Sequence, residues 1–275
     1  MKFTRAYIIS WLGIEADIAQ PRLEYLKEVV SWCRSKNLIP TIIAMEWQEE
    51  WYSQFDVDWV KSDLKMPPGQ ARNIGLNHFY SGDDDYCIIL DDDTFIEVND
   101  DIIDWLQQAN EKDCKDLWMI SVPDVERTKC CYERSDTHHL FRVSLRYTSG
   151  VFIVKNSRKH TKDKGLFFSP HFIQTEKGLI YGEDGDFLIQ GYENELQPWE
   201  VYSSLANKGR DRDVLPSTWL FTDSIKLEQE RWGGKPPGVA ITLNRIKNNS
   251  KGIFIGPDAP LCMPVVDTIK FRVER

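Results

Sequence analysis

The chain has 275 residues, of which 41% are hydrophobic and 28% charged, and its formal net charge at pH 7 is −9. This length can bury a full apolar core, and no stretch approaches the roughly 18 to 20 consecutive apolar residues that span a membrane. We therefore expect a globular, cytoplasmic protein without a membrane partner.

Short apolar runs rich in β-branched residues alternate with amphipathic stretches over the first 125 residues. This alternation predicts strands at 6–12, 38–45, 86–90 and 117–122, and helices at 22–34, 71–80 and 100–110. Pro21 is expected in the first turn of the first helix, and residues 46–59 as a loop or an irregular helix. Because strands and helices alternate, we predict an α/β fold with a mostly parallel sheet.

The second half has a different rhythm. It predicts strands at 139–143 and 150–154, a short helix at 182–192, and short strands and loops from residue 200 onwards. No repeat or low-complexity linker separates the halves. We expect one compact domain over residues 1–275, with an α/β lobe at 1–125 and a mixed lobe at 126–275.

Acidic and basic residues are unevenly distributed between these lobes. Residues 1–125 contain 24 acidic and 11 basic side chains, whereas residues 126–275 contain 19 acidic and 23 basic ones. The basic side chains cluster at 155–164, 208–212 and 245–251. A polyanionic partner would explain this pattern, and solvated loops rich in Lys and Arg would also explain it.

The six cysteines show no spacing typical of a disulfide framework. Cys87 falls within a predicted central strand, where a small thiol packs well. We expect reduced structural thiols, and a zinc or disulfide role for Cys130 and Cys131 is the alternative.

Three consecutive carboxylates, Asp91, Asp92 and Asp93, follow the predicted strand 86–90. Ligands of open α/β sheets bind beyond the carboxyl ends of the strands, and adjacent carboxylates repel one another unless a cation lies among them. Alternation along the backbone puts Asp91 and Asp93 on one side, where they could share Mn²⁺ or Mg²⁺. A solvated acidic turn is the alternative.

Two further motifs carry charged groups suited to chemistry. Arg72 lies early in the helix 71–80, and its guanidinium suits a phosphate or a base edge, although an exposed Arg without a ligand is the alternative. Glu183, Asp184 and Asp186 lie at a loop-to-helix junction. An ionised carboxylate there could act as a general base, and ordinary helix capping is the competing interpretation.

Together these motifs resemble a known family. The segment 71–75 (Ala-Arg-Asn-Ile-Gly), the apolar strand, the triplet 91–93 and the later pair Glu183-Asp184 occur in the order seen in GT-A-type nucleotide-sugar glycosyltransferases, specifically the large inverting family. The resemblance implies a GT-A fold, with a nucleotide-sugar-binding lobe at 1–125 and an acceptor-binding lobe at 126–275.

The resemblance also implies roles for the donor-site residues. Asp91 would contact the ribose or the metal, and Asp93 would bind a divalent ion, Mn²⁺ or Mg²⁺, that bridges the diphosphate. Arg72 would hold the nucleotide, and Asp92 would lie in the same nucleotide-sugar site as a structural or solvent-facing neighbour. Glu46 is the candidate for a uracil contact, which makes a UDP-sugar the expected donor.

For the acceptor side, the resemblance implies that Asp184 deprotonates the attacking hydroxyl and that Glu183 orients the acceptor. Asp186 remains an alternative to Asp184 as the base. The chain departs from the family in carrying Glu46-Trp47 where an acidic pair is common. It also has no histidine after the Glu-Asp motif, so a third metal ligand is not identified.

Other functions stay open at this point. A nucleotidyltransferase or phosphotransferase would also use a carboxylate-bound metal, but usually with a glycine-rich phosphate loop that this sequence lacks. A non-catalytic module that binds a sugar or a nucleic acid is a third interpretation. For a transferase, the acceptor is either a glycan or DNA carrying hydroxymethylcytosine or a sugar, as with phage enzymes that act in the host cytoplasm.

Overall fold

The computed structural model describes all but one residue of the first third of the chain and separate segments beyond it. The described residues are 1–13, 15–98, 101–109, 118–121, 138–143, 151–156, 158, 165–171, 174–175, 178–179, 183–184, 186–187, 190, 198–201, 204–207, 226–227 and 269–272. The Cys130–Cys131 pair and the basic segments 208–212 and 245–251 lie outside them.

Within these residues the chain forms alternating helices and strands, as predicted. The helices are α1 (Ala16–Ser35), α2 (Glu49–Tyr52), α3 (Pro68–Tyr80) and α4 (Asp101–Gln108). The strands are β1 (Phe3–Ser10), β2 (Ile39–Met45), β3 (Asp58–Ser62), β4 (Tyr86–Asp91), β5 (Thr94–Val98), β6 (Met119–Ser121), β7 (His138–Val143), β8 (Val151–Lys155), β9 (Gln174–Thr175), β10 (Gly178–Leu179), β11 (Pro198–Val201), β12 (Ser204–Asn207) and β13 (Ile269–Arg272).

Nine of these strands form one sheet in the order β13-β7-β11-β6-β8-β4-β1-β2-β3. The strands β1 to β4 pair in parallel, whereas β8 is antiparallel to both of its neighbours, β4 and β6. In the same way β7 is antiparallel to β11 and β13, so β7 and β8 oppose the other strands. The predicted α/β class with a mostly parallel sheet is confirmed, and described strands from the second half belong to that same sheet.

Apolar side chains cover both faces of the sheet. Along β4, Tyr86, Ile88 and Leu90 face a core that α1 and α4 cover, whereas Cys87 and Ile89 face a second core beneath α3. This alternation continues past the end of the strand, because successive side chains point to opposite faces. It therefore determines which face each residue of the acidic triplet approaches.

The structure corrects several predicted boundaries. Helix α1 begins six residues earlier than predicted, so Pro21 lies inside it and not in its first turn. At this sixth position of α1 proline has no N–H to donate to the carbonyl four residues earlier, so the helix lacks one backbone hydrogen bond there. The segment 46–59 contains α2 and the beginning of β3, and β5 was not predicted.

The described part of the chain also bears on the predicted state of the cysteines and on the length of the helices. Cys33 and Cys87 are buried free thiols, as expected of structural cysteines. Burial raises the pKa of both thiols above the ordinary value, and the carboxylate of Asp84 adds to the rise at Cys87. Among the described helices, none combines the length and the apolar character needed to cross a membrane.

Candidate active site

The carboxyl end of β4 sends consecutive aspartates to opposite faces of the sheet. Asp91 faces α3 and keeps 35% of its side-chain surface exposed, whereas the Asp92 side chain is turned towards α1 and is only 4% exposed. The two residues therefore belong to separate groups of charges. We call Arg22 with Asp92 the α1-side pair, and Arg72 with Asp91, Glu183 and Asp184 the α3-side cluster.

In the α1-side pair, hydrogen-bond donors surround the Asp92 carboxylate. Arg22 Nη2 lies 2.9 Å from Asp92 Oδ1, and Ser10 Oγ and the Trp11 backbone N–H donate to Oδ2 at 3.0 and 3.1 Å. Burial raises the pKa of Asp92 to about 6, with Asp93 and Asp91 adding to the rise and Arg22 and Ser10 opposing it. The interpretation of Asp92 as a solvent-facing residue is therefore wrong. These contacts agree with the other interpretation, in which Asp92 has a structural role.

The motif at 71–75 makes defined contacts from α3. Ala71 is fully buried, and Gly75 lies against β1, where an added Cβ would come within 3.1 Å of the Tyr7 side chain. Asn73 clamps the backbone of Phe168 by donating from Nδ2 to its carbonyl at 2.8 Å and accepting from its N–H at 2.7 Å. The motif therefore joins α3 both to the sheet and to the segment around Phe168.

Arg72 occupies the centre of the α3-side cluster. It is only 4% exposed, so the interpretation as an exposed surface Arg is wrong. Its Nη2 lies 3.3 Å from Asp91 Oδ1, and its Nη1 lies 2.8 Å from Asp184 Oδ1 and 3.5 Å from Glu183 Oε1. One guanidinium thus gathers three carboxylates, that of Asp91 at the end of β4 and those of Glu183 and Asp184, which follow Arg72 by more than a hundred residues.

The electrostatics of this cluster favour proton or cation binding. Burial raises the pKa of Asp184 to about 8, with the neighbouring Glu183 and Asp91 carboxylates adding to the rise although Arg72 opposes it. Burial also raises the pKa of Asp91, which Arg72 lowers and Asp93 raises. Burial disfavours the charged form of Arg72, but the three carboxylates outweigh this effect and raise its pKa.

Glu183 packs closely against α3. A Cβ added to Gly69, in the first turn of α3, would lie 3.1 Å from Phe168 Cβ and 3.2 Å from Glu183 Cγ. The rings of Phe168 and Phe187 stack with centroids 4.3 Å apart and planes inclined by 8°. Glycine at position 69 is therefore what permits Glu183 to approach the helix so closely.

Asp184 and Asp186 have different surroundings, which bears on the choice between them as a base. Asp184 keeps 19% of its side-chain surface exposed beside Asp91 and Arg72. Asp186 is 1% exposed, and its Oδ2 accepts a hydrogen bond from Gln190 Nε2 at 2.7 Å. The geometry favours Asp184, because a general base must reach the proton that it abstracts.

Asp93 and Asp91 were predicted as metal ligands. Asp93 is partly exposed and accepts a hydrogen bond from Thr94 Oγ1 at 2.8 Å. Among the residues that the structure describes, no three His, Cys, Asp or Glu side chains converge to hold a metal. The two carboxylates of Asp91 and Asp93 fit a hard cation such as Mg²⁺. This ion keeps several waters and often binds through one or two carboxylates and substrate oxygens.

Trp11, Glu46 and Lys65 lie together at the same edge of the sheet, beyond the ends of the strands β1 to β3. Glu46 directly follows β2, has a φ of 49° and accepts a hydrogen bond from Trp11 Nε1. Such a left-handed backbone is uncommon for a residue other than glycine, asparagine or aspartate. Lys65 Nζ lies 3.4 Å from the centroid of the Trp11 ring. Sequence patterns did not single out Trp11 or Lys65, because neither belongs to a motif.

The ring of the neighbouring Trp47 is partly buried and packs against other side chains of the protein. Its ring stacks on Tyr52 with centroids 5.1 Å apart, and Lys61 Nζ lies 3.8 Å from its centroid. Glu46 remains a predicted base contact, and Trp47 already has protein partners on its ring.

Comparisons with known proteins give likenesses of fold alone. The sequence matches no protein-family model and no curated protein. Similar solved structures include mannose-1-phosphate geranyltransferase from Thermus thermophilus, at 11% identity over 58% of this chain and 59% of that chain, with a TM-score of 0.37. Another is inositol-1-phosphate CTP transferase from T. maritima, at 6% identity over 78% of this chain and 93% of that chain, with a TM-score of 0.43. A third is glycosyltransferase GlyE from Streptococcus pneumoniae TIGR4, at 14% identity over 71% of this chain and 44% of that chain, with a TM-score of 0.34.

The chain spans less than two thirds of the length of the first and the third of these proteins. Likenesses at these identities and TM-scores assign no activity to this chain. Any functional conclusion must therefore come from the residues of the site.

Proposed function

We propose that this protein is a metal-dependent inverting glycosyltransferase, which moves a sugar from a nucleotide-sugar, in particular a UDP-sugar, to an acceptor hydroxyl. The observation that carries the proposal is the α3-side cluster. It brings Asp184 and Glu183 beside Asp91, at the carboxyl end of a central strand, where ligands of α/β sheets bind. A transferase needs both an acidic donor site and a base within reach of it.

The proposed reaction is a single displacement. The acceptor oxygen attacks the anomeric carbon, forming the new C–O bond as the bond from that carbon to the diphosphate oxygen breaks. The electron pair of the broken bond leaves with the nucleoside diphosphate, and the hydroxyl proton passes to the Asp184 carboxylate. Attack from the face opposite the leaving group inverts the anomeric configuration.

Asp91 and Asp93 are the residues proposed to hold Mn²⁺ or Mg²⁺. Such an ion, when bound, neutralises charge on the departing diphosphate. Glu46 is proposed to contact the base of the nucleotide, since it directly follows β2, which lies beside β1, and accepts a hydrogen bond from Trp11. A cytoplasmic site of action, and a glycan or modified DNA as the acceptor, belong to the same proposal.

A direct experiment tests this function with the whole chain. UDP binding is measured by calorimetry with and without Mn²⁺, and hydrolysis of a panel of nucleotide-sugars is followed, with water as the acceptor. We expect Mn²⁺-dependent UDP binding and slow hydrolysis of at least one UDP-sugar. Asp93→Asn should abolish metal-dependent binding and leave the circular dichroism spectrum unchanged.

The same panel separates the proposal from nucleotidyl transfer. If the chain instead joins a nucleoside triphosphate to a sugar phosphate and releases pyrophosphate, the glycosyltransferase proposal is wrong. An absence of both turnover and metal-dependent nucleotide binding would leave only the non-catalytic module. Transfer to modified DNA, compared at two salt concentrations, tests the acceptor, because phosphate-mediated binding weakens steeply with salt.

A further inference from the structure

We propose that Arg72 is a positioning residue that ties Asp184 and Glu183 to Asp91, and that it is not a ligand of the nucleotide. This inference rests on the proposed function and changes the role that sequence resemblance implies for Arg72. It follows from where the guanidinium nitrogens point and from how little of the side chain a ligand could reach.

Both terminal nitrogens of Arg72 are directed at carboxylates of the protein. Nη2 faces Asp91 at 3.3 Å, and Nη1 faces Asp184 at 2.8 Å. The remaining nitrogen, Nε, is buried and has no hydrogen-bond partner in the described part of the chain. With only 4% of the residue exposed, the side chain has almost no surface to offer a nucleotide phosphate.

Two aromatic rings lie beside this guanidinium. Its central carbon lies 5.3 Å from the centroid of Phe152 and 5.4 Å from that of Phe168. Phe152 belongs to β8, next to β4, and Asn73 holds the backbone of Phe168. Two consecutive residues of one motif, Arg72 and Asn73, thus contact the ring and the backbone of Phe168.

The shape of the guanidinium matters because the carboxylates approach different nitrogens. A planar fork can donate to Asp91 and Asp184 at once and hold their relative position, whereas a lysine ammonium is a single point of charge on a flexible stem. The guanidinium of Arg72 therefore sets the distance between the carboxylate of Asp91, in the donor site, and that of Asp184, the proposed base.

The test compares Arg72→Met, Arg72→Lys and Asp184→Asn with the wild-type chain. Calorimetry gives the Kd of UDP in the presence of Mn²⁺, and steady-state hydrolysis of the best UDP-sugar gives kcat and KM. We expect the UDP affinity of all three variants to stay within about threefold of wild type, while kcat falls about 100-fold or more in Arg72→Met and Asp184→Asn. The double variant Arg72→Met/Asp184→Asn should be no slower than the slower single variant, because both changes disable one unit.

Arg5→Met is the matched control, since it removes a guanidinium whose partner, Asp58, is 61% exposed at the far side of β2. It should leave Kd, kcat and KM unchanged. Circular dichroism checks folding, and Arg72→Lys, which keeps the buried positive charge, replaces Arg72→Met if the latter does not fold. We expect Arg72→Lys to bind UDP normally and to remain at least about 10-fold slow.

Two results would overturn the inference and leave the proposed function intact. The first is an Arg72 variant that loses UDP affinity but keeps the wild-type kcat at saturation, which is the behaviour of a ligand residue. The second is full recovery of kcat in Arg72→Lys, because a point charge would then suffice. By contrast, a wild-type chain without metal-dependent UDP binding or hydrolysis contradicts the proposed function itself.

Discussion

The α1-side pair and the α3-side cluster flank the same strand end but balance their charges differently. Arg22 meets one carboxylate, Asp92, which also accepts hydrogen bonds from the Ser10 hydroxyl and the Trp11 backbone N–H. In the α3-side cluster a single arginine faces three carboxylates, one of them with 35% of its side chain exposed.

This difference separates a structural ion pair from a reactive group. A buried carboxylate that has a guanidinium and two further donors is satisfied, and it holds the loop after β1 against the end of β4. Carboxylates that share one guanidinium retain more affinity for a proton or a cation, and burial with like charges raises the pKa of Asp184 to about 8, compared with about 6 for Asp92. Substitutions in each group of charges test this division.

The largest effect is expected for Asp184→Asn in the α3-side cluster. Loss of a general base slows a reaction by about 10² to 10⁴-fold, so UDP-sugar hydrolysis should fall by this factor while the urea midpoint stays level or rises. Removing one of three neighbouring carboxylates relieves repulsion, which is why stability should not suffer. An equal loss in Asp186→Asn together with an active Asp184→Asn would move the base to Asp186.

A large stability effect and a small kinetic one are expected for Arg22→Met in the α1-side pair. Removing one partner of a buried ion pair leaves an uncompensated charge and costs about 3 to 5 kcal/mol. Equilibrium urea unfolding should show this loss. The double variant Arg22→Met/Asp92→Asn should recover much of it, and a failure to recover would mean that Asp92 does more than balance Arg22.

Gly69→Ala should have a moderate effect confined to the α3-side cluster. Its Cβ would lie 3.1 Å from Phe168 Cβ and 3.2 Å from Glu183 Cγ, so the Glu183 segment must move by a few tenths of an ångström. Since small misplacements of catalytic groups can cost up to about 100-fold, we expect hydrolysis to slow by about 10-fold. Gly75→Ala, which meets Tyr7 on the sheet instead, is the control and should lower stability more than kcat.

The smallest effect is expected for the exposed ion pair of Arg5 and Asp58. Their side chains are 29% and 61% exposed, and pairs of this kind contribute about 0 to 1 kcal/mol. Arg5→Met should therefore shift the urea midpoint only slightly, and this shift should shrink in high salt. A loss as large as that of Arg22→Met would show that burial does not explain the difference between ion pairs in this protein.

Local patterns were enough to predict the strand that carries the site. The apolar run 86–90 identified β4, and its period of two placed Asp91 and Asp92 on opposite faces from the sequence alone. The predictions for Asp93, Glu46 and the metal remain untested. Local patterns could not show that Arg72 is buried, since its partners Glu183 and Asp184 follow more than a hundred residues later.

Other features were missed because only tertiary contacts create them. Strand β5 follows the acidic triplet at once and is stabilised by antiparallel pairing with β12, far away in the chain. Trp11 follows β1 and Lys65 follows β3, so the two become neighbours only when the ends of β1, β2 and β3 lie side by side. Pro21 suggested a later start for α1 because its preference for the first turn outweighed the weaker signals before it.

The position of β8 between β4 and β6 has a consequence for the synthesis of the protein. Strand β4 pairs with β1 on one side, but its other edge is covered only by β8, about 60 residues later, which a ribosome adding about 5 to 20 residues per second reaches after roughly 3 to 12 s. During that interval an apolar strand edge stays open to chaperones or to other nascent chains. Chains truncated before Val151 should therefore accumulate as inclusion bodies, and those extended through Lys155 should do so less.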